Sequence, residues 1–243
     1  MRLVLAAVLL SACAGQFANP LDSEEMPDAI EEERPIGPAH GVEREHVEYE
    51  VKLRGIVVGR FQVAVGSRGV VDGRPAVVVK SRGQGAGLAD VLGDFQWDLT
   101  TTVDIDGGCA IEEDDEISIA VAGKKEHQHN VRKFSLAECH HNVHTGAGAL
   151  RGWRSHVGST ANLDVSLDNG RVDIALTDAA RETIETVQGS TPSIRYDGLL
   201  RGKHKISGWL SDDDARVPLR MHSGSKLGDI DIEMVRYEVP SDH

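Results

Sequence analysis

Aromatic residues are scarce in this sequence. Phe, Tyr and Trp together make up 4% of the 243 residues, although the hydrophobic fraction as a whole is 40%. Aromatic side chains usually supply the largest buried areas of a protein interior, so their scarcity excludes a core built mainly on rings. We therefore expect a core of Val, Ile, Leu and Ala side chains.

Basic residues are also under-represented. Lys and Arg number 26 against 39 Asp and Glu, which gives a formal net charge of −13. A body this acidic repels the phosphates of nucleic acids and anionic lipid surfaces. The composition therefore argues against nucleic acid as a partner.

Long apolar runs are missing except at the amino terminus. Arg2 precedes the unbroken apolar stretch 3–10, and small residues follow it before Cys13. The stretch is too short for a permanent transmembrane helix, and its flanks are typical of a secretory signal peptide. We assign residues 1–12 to this signal.

The tetrapeptide Leu10-Ser11-Ala12-Cys13 resembles the lipobox of bacterial lipoproteins. That resemblance implies cleavage before Cys13 and acylation of its sulfur and new amine, which would hold the protein on a membrane. The expected location is the cell envelope, and Ala14 favours the outer membrane over the inner one. Plain secretion with an incidental cysteine is the alternative.

Residues 13–44 are predicted to be the acylated cysteine and a disordered tether. The stretch 14–41 contains four prolines, seven acids and one arginine, and it has no sustained apolar period. Such a composition cannot bury enough apolar surface to fold. A flexible chain of this length spans about 30 Å, so the domain at 45–239 can stand clear of the bilayer.

Alternating apolar and polar residues begin at His46 and predict strands through most of the domain. Odd positions stay apolar from Val47 to Val65, which predicts one long bent strand or a hairpin with an odd-length loop. Asp72-Gly73 and Asp168-Asn169-Gly170 are hairpin turn signals. The fold class is therefore mainly β: a single curved antiparallel sheet or half-open β-barrel with one or two short helices.

Helical patterns are few. A short helix is expected at 88–92, and a second at 138–153, where Val143, Ala147, Leu150 and Trp153 are three or four residues apart. The glycines within the second segment weaken that prediction. Residues 181–188 fit either a strand or a helix, and 112–116 are interpreted as a solvated acidic connection.

Several separate pieces of the domain together match one known pattern. The pieces are 49–51 with 55–59, 81–83, 148–151, and 208–220, which contains Trp209, Asp212, Arg216 and Pro218. They resemble the bacterial family catalogued as domain of unknown function 3108. The resemblance covers residues 45–239 and implies an exported or lipid-anchored protein with a curved, half-open β-barrel. It also favours a strand at 181–188 and supplies no catalytic residues.

The stretch 208–220 is the most specific of these pieces. We interpret it as a tight strand-turn-strand in which Trp209 covers an open end of the sheet and Asp212 belongs to an aspartate turn. Pro218 lacks a backbone donor and is expected at an edge or bulge. Three adjacent carboxylates could bind calcium, but the spacing of an EF-hand is missing.

Cysteines and histidines supply the other candidate sites. With Cys13 acylated, Cys109 and Cys139 are left as a possible disulfide in an oxidising compartment, or as two isolated thiols. Four histidines, His127, His129, His140 and His144, lie near one another in the sequence. Neutral imidazoles at such spacings could hold zinc or copper. A solvent-facing cluster is the favoured interpretation, so no metal is predicted.

No feature of the sequence predicts a reaction. A G-x-S-x-G motif is missing, and acids are too common for one general acid–base pair to stand out. We expect a non-enzymatic lipoprotein without a cofactor that binds an apolar ligand or envelope component in a curved-sheet groove. The alternatives are a structural or interaction module that docks a protein partner through a sheet edge, and metal handling by the histidines.

Overall fold

The structure, a computed structural model, describes residues 41–87, 93–121, 124–135, 137–167, 170–225 and 228–239. The predicted signal peptide, Cys13 and nearly all of the predicted tether lie outside these residues, as do the helix expected at 88–92 and the turn residues Asp168 and Asn169.

The described residues form thirteen strands and one helix. The first strands are β1 (His46–Leu53), β2 (Ile56–Val65), β3 (Gly69–Val71), β4 (Arg74–Gly85), β5 (Gly93–Asp104), β6 (Ala110–Val121) and β7 (Lys124–Lys133). After helix α1 (Val143–Gly152) come β8 (Thr160–Leu167), β9 (Gly170–Thr186), β10 (Gly189–Leu200), β11 (His204–Ser211), β12 (Pro218–Ser225) and β13 (Gly228–Glu238).

The strands build one antiparallel sheet that does not close. Its order is β7-β6-β5-β4-β2-β1-β13-β12-β11-β10-β9-β8, with β3 paired to β4. Most strands pair with a neighbour along the chain, whereas β7 and β8 form the two edges, and β1 joins the two halves by pairing with both β2 and β13. The predicted fold class is confirmed, with the single helix of the described residues placed between the two edge strands in the sequence.

The first hairpin corrects the prediction of one bent strand or an odd-length loop. Arg54 and Gly55 form a two-residue turn with positive φ angles of 52° and 78°, as a tight hairpin requires. A bulge then shifts the register, since Val51 pairs with Gly59 while Lys52 pairs with Val57. The extra residue in β2 restores the alternation, which explains why odd positions stay apolar on both strands.

Helix α1 is shorter than the 138–153 predicted from its pattern. Asn142 caps it by accepting a hydrogen bond from the backbone N–H of Thr145. The residues before it are held extended, because the carbonyl groups of His140 and His141 accept hydrogen bonds from Ala110 and Ser166. Within the described ranges, no helix is long and apolar enough to cross a membrane.

The strand reading of 181–188 proves correct for most of that segment. Strand β9 continues to Thr186 and pairs with β10 along its length, with Ile184 opposite Thr191. The apolar residues of this segment fit the period of a helix only by coincidence, because the same residues also fit the two-residue period of a strand.

The core lies on the concave side of the sheet, where α1 packs. Val47, Tyr49, Leu219 and Met234 form one buried cluster from the middle strands. Close packing accounts for one of the three glycines of α1, Gly146, because a Cβ at this position would lie 3.1 Å from a methyl carbon of Val165 in β8. The helix therefore approaches the sheet more closely than a larger residue would allow.

Candidate ligand-binding cavity

A cavity of about 330 Å³ lies between the concave face of the sheet and helix α1. Strands β1, β2, β4, β5 and β6 form most of its wall, with contributions from β12 and β13, and α1 closes one end. Its size falls at the lower end of the range for small-molecule sites, about 300–1,000 Å³. The lining is mostly aliphatic and aromatic.

Four of the ten aromatic residues of the chain line this cavity: Tyr49, Phe61, Phe95 and Trp97. Three of them follow one row across the sheet, because Tyr49 pairs with Phe61, Phe61 with Gly83, and Gly83 with Trp97. The Tyr49 and Phe61 rings stack with centroids 4.7 Å apart. The few aromatics of the sequence are therefore concentrated at one place.

Gly83 keeps the aromatic row continuous. A Cβ at this position would lie 3.3 Å from Cε3 of Trp97 and 3.6 Å from Cβ of Phe61. The missing side chain lets the indole of Trp97 lean over β4 towards the phenyl ring.

The polar groups of the Tyr49 and Trp97 rings form hydrogen bonds within the protein. The Tyr49 hydroxyl donates to the Pro218 carbonyl at 3.0 Å, and the Trp97 indole N–H donates to the Asp115 carboxylate at 2.7 Å. Burial is the main cause that raises the pKa of Tyr49, so this hydroxyl stays neutral. The row therefore offers apolar ring faces to the cavity.

Carboxylates that are paired with arginines form the end of the cavity next to α1. The guanidinium of Arg151 binds both carboxylate oxygens of Glu45, with Nη2 3.0 Å from Oε2. Glu113 accepts from Arg132 and, at 2.5 Å, from the Asn142 amide. Both carboxylates and Arg151 are almost completely buried, so these pairs hold their geometry in a water-poor setting.

His144 joins α1 to the sheet. Its Nε2 contacts the Ser81 hydroxyl, and its Nδ1 lies 2.8 Å from the Thr101 hydroxyl. Burial lowers the pKa of His144 to about 3, because a desolvated imidazole resists protonation. The neutral ring has one donor and one acceptor nitrogen, which matches its two hydroxyl partners.

The acidic stretch 112–116 is a strand and not the solvated connection expected from the sequence. Glu113 and Asp115 are buried with exposed fractions of 2% and 4%, whereas Asp114 and Glu116 face outward. Asp115 and Glu113 lie two and four residues before the buried Ile117. This spacing could have indicated that both carboxylates face inward, because alternate residues of a strand share a face.

The 208–220 motif anchors the carboxyl-terminal end of α1. Arg216 donates to the Trp153 carbonyl and, at 3.2 Å, to the Tyr196 hydroxyl. A second contact runs from the helix to the motif, because Arg151 of α1 donates to the Ala215 carbonyl at 2.7 Å. The motif therefore fixes the helix that closes the cavity.

The other motif residues serve the same strand-turn-strand. Asp213 accepts from the Ser211 hydroxyl and the Arg216 N–H, whereas Asp212 lies 3.8 Å from Arg181. Pro218 lies at the register shift between β11 and β12.

Trp209 lies on β11 and packs beside the core. Its ring is in contact with the buried cluster that contains Val47 and Leu219, and its indole N–H donates to Glu182 at 2.5 Å. The expected role of covering an open end therefore becomes a packing role against the middle strands.

The structure joins Cys109 and Cys139 in a disulfide with Cα atoms 5.2 Å apart. The bridge connects the start of β6 to the segment that leads into α1. It ties the sheet edge formed by β6 and β7 to the helix that follows.

The four candidate histidines do not come together at one centre. His127 and His129 lie exposed on β7 beside Glu116 and Asp114, at 3.9 and 2.8 Å. His140 precedes the helix and packs on Phe134, so it does not share a helical face with the buried His144. In the part of the chain that the structure describes, no group of three or more His, Cys, Asp or Glu is placed to hold a metal ion.

Sequence reasoning did not single out Glu45, and it placed Ser81 and Arg151 only within the family-like pieces 81–83 and 148–151, without a role. Glu45 and Arg151 are 106 positions apart, and no local pattern links residues that meet only after the sheet curls. Ser81 occupies an inward position of β4, which alternation can indicate only when the strand boundaries are already known.

A family model described as "Protein of unknown function (DUF3108)" matches residues 48–235. No curated protein matches the chain.

The solved structures to which the chain is similar include three proteins from different bacteria. A β-barrel-like protein of domain of unknown function DUF1849 from Brucella abortus is 9% identical, with a TM-score of 0.47 over 81% of this chain and 98% of that one. A protein inferred to be exported, with a YmcC-like fold, from Bacteroides fragilis is 11% identical, with a TM-score of 0.37 over 85% and 100%. A protein inferred to be a lipoprotein from Parabacteroides distasonis is 10% identical, with a TM-score of 0.36 over 84% and 99%.

Proposed function

The chain belongs to the DUF3108 family of proteins of unknown function, and from that premise we propose that it is a non-enzymatic lipoprotein of the bacterial cell envelope that binds an uncharged hydrophobic ligand. The observation that carries the proposal is the cavity of about 330 Å³ with its aromatic row. Ring faces without free polar tips favour apolar groups over sugars or peptides.

The volume of the cavity favours a ligand with one chain. At about 330 Å³ it lies at the lower end of the range for small-molecule sites, which suits a single acyl or prenyl chain better than the two tails of a phospholipid.

The charges around the cavity favour an uncharged ligand. Glu45 and Glu113 are matched by Arg151 and Arg132. A charged ligand would have to break such a pair or enter without a partner, and both cost several kcal/mol in a desolvated site.

The Ser81 and His144 pair supports binding over hydrolysis. A serine nucleophile needs a base that becomes stably protonated, usually with a carboxylate on the far ring nitrogen. Here the far nitrogen lies against the Thr101 hydroxyl, and burial lowers the pKa of His144 to about 3. An imidazolium at this position would be unstable near neutral pH.

The edge strand β7 makes docking of a protein partner the weaker alternative. Its side chains are almost all exposed, and Lys124, Lys125 and Lys133 lie along it. Charged edge strands, lysine-rich ones above all, are a common way for sheets to avoid adding another strand.

The lipid anchor and address rest on the lipobox at Cys13. We propose that acyl chains at Cys13 hold the domain in the cell envelope, with the outer membrane favoured by Ala14.

Ligand binding is tested by solvent extraction and mass spectrometry of the full-length protein purified from envelopes. Ala147 lines the cavity from α1 and is exposed to it, so Ala147→Phe should fill the space and lower the molar yield of bound hydrophobe at least tenfold. Ala137→Phe makes the same change at an exposed position outside the lining and should keep the yield. No hydrophobe in the wild-type protein, or equal yields from both variants, would refute the proposal.

A further inference from the structure

The alternation of antiparallel strands places the turns of the sheet at two opposite ends. The β1–β2, β4–β5, β6–β7, β8–β9, β10–β11 and β12–β13 turns lie at one end, which we call the turn end. The other turns, helix α1 and the start of β1 lie at the opposite end. Each end can therefore be assigned its charges from the strand bounds.

The turn end is basic in a protein with a net charge of −13. Counting its described turn residues and the two adjoining residues of each strand, eight cations stand against two acids, Asp94 and Asp229. Lys52 and Arg201 are half-buried. The six exposed cations are Arg54, Lys124, Lys125, Arg171, Lys203 and Lys205.

The turn residues outside the described ranges do not reverse this balance. By sequence they add Lys226 and the two aspartates Asp90 and Asp168. The opposite end has more acids than bases, including the run Asp212-Asp213-Asp214. Net charge alone predicts repulsion from anionic lipid, but the fold separates the two signs along the strand direction.

The cavity also leads towards the turn end. Its closed end is formed by α1 and the Glu45–Arg151 pair. Its other lining residues include Gly59, Gln84 and Phe95, which lie near the β4–β5 turn. A half-exposed Ile56 is found at the same end. Basic turns therefore surround the end from which an apolar ligand would enter.

We propose that the turn end is a docking surface for an anionic lipid bilayer. Cations near an anionic leaflet contribute about 1 kcal/mol each, and this end offers six that are exposed. In this orientation the cavity leads to the lipid surface, so a hydrophobe can pass between bilayer and cavity without crossing water. The acidic end points away from the membrane.

The anchor permits this orientation although the tether joins the domain at the opposite end. The longest strand, β9, has 17 residues and spans about 56 Å at roughly 3.3 Å per residue. Residues 14–41 can extend to about 95 Å at most. Cys13 can therefore lie in the same bilayer that the turn end contacts.

The test is sedimentation, with lipid vesicles at low ionic strength, of the chain that begins at residue 13 and carries Cys13→Ser, so that neither an acyl group nor the apolar stretch 3–10 contributes. We expect at least tenfold tighter binding to vesicles that contain phosphatidylglycerol than to pure phosphatidylcholine. Binding should disappear at an ionic strength of about 1 M, where the Debye length is about 3 Å.

Matched charge variants locate the surface. Lys124→Gln, Lys125→Gln and Lys205→Gln together should weaken binding to the anionic vesicles about 100-fold. Arg68→Gln, Arg74→Gln and Lys133→Gln remove three exposed cations near the opposite end and should leave binding within about twofold of the parent.

Equal binding to both vesicle types, or equal loss in the two triple variants, would overturn the docking proposal. Ligand extraction from the wild-type protein is a separate measurement. A failure of vesicle binding therefore leaves the proposed ligand function standing, and a failure of ligand extraction leaves the docking surface standing.

Discussion

At the scale of single residues, burial has a large effect on the protonation of His144. Its pKa is lowered to about 3, below the ordinary value of 6.5, because the desolvated ring between Ser81 and Thr101 disfavours the charged form. Below pH 6.5 the unfolded chain takes up a proton here and the folded chain does not. Stability from this residue is therefore complete above pH 6.5 and is lost as the pH falls towards 3.

We expect His144→Gln to flatten the acid side of the stability profile. Between pH 6 and 4, the wild type should lose up to about 1.4 kcal/mol of unfolding free energy per pH unit more than this variant. Urea denaturation at several pH values measures the difference. His127→Gln removes an exposed imidazole and should keep the wild-type slope, whereas an unchanged slope in His144→Gln would contradict the assignment.

At the scale of elements, helix α1 depends on contacts with distant segments more than on its own sequence. Its ten residues include three glycines, which disfavour helix by about 1 kcal/mol each relative to alanine. Arg151 and Arg216 compensate by joining the helix end to Glu45, to the Ala215 carbonyl and to Tyr196.

Breaking the Glu45–Arg151 pair should destabilise the fold strongly. Glu45→Gln leaves Arg151 buried with a neutral partner, and we expect a loss of about 3–5 kcal/mol in unfolding free energy. The matched change Glu50→Gln breaks an ion pair with the exposed Arg60 and should cost no more than about 1 kcal/mol. Chemical denaturation distinguishes the two, and similar losses would show that burial adds nothing at this pair.

Adding Arg151→Met to Glu45→Gln tests the same contact independently. Removal of both charges should cost clearly less than the sum of the two single changes, because neither partner is left buried alone. Additive losses would mean that the two residues act separately.

Alternation predicted the sheet well, since most strands keep one apolar face from end to end. Its failures have local causes. The bulge between Val51 and Lys52 hid a tight turn, and the carboxylates of Glu113 and Asp115 occupy inward positions that a polarity pattern assigns to solvent. The cavity itself could not be predicted, because its wall combines strands from across the chain with a helix held by Arg216.

At the scale of the whole molecule, the pairing and curvature of the sheet determine which distant residues lie together. The ten aromatics are spread along the chain, yet register brings Tyr49, Phe61 and Trp97 into one row. Antiparallel order likewise collects basic turns at one end of an acidic protein. In the proposed envelope lipoprotein, the acyl anchor would supply firm attachment to the membrane and the body only weak, salt-sensitive attachment.

These two modes of attachment give different predictions for Cys13→Ser. When the variant is exported with a signal peptide that is cleaved independently of Cys13, it has neither acyl chains nor the apolar stretch 3–10. It should then leave the detergent phase in phase partitioning and should be released from envelopes by a high-salt wash, because only electrostatic contact is left. The wild type should resist that wash. The double variant Cys109→Ser and Cys139→Ser removes the disulfide cysteines and should stay in the detergent phase. Continued detergent partitioning of Cys13→Ser would contradict a lipid anchor at this residue and would require another hydrophobic attachment.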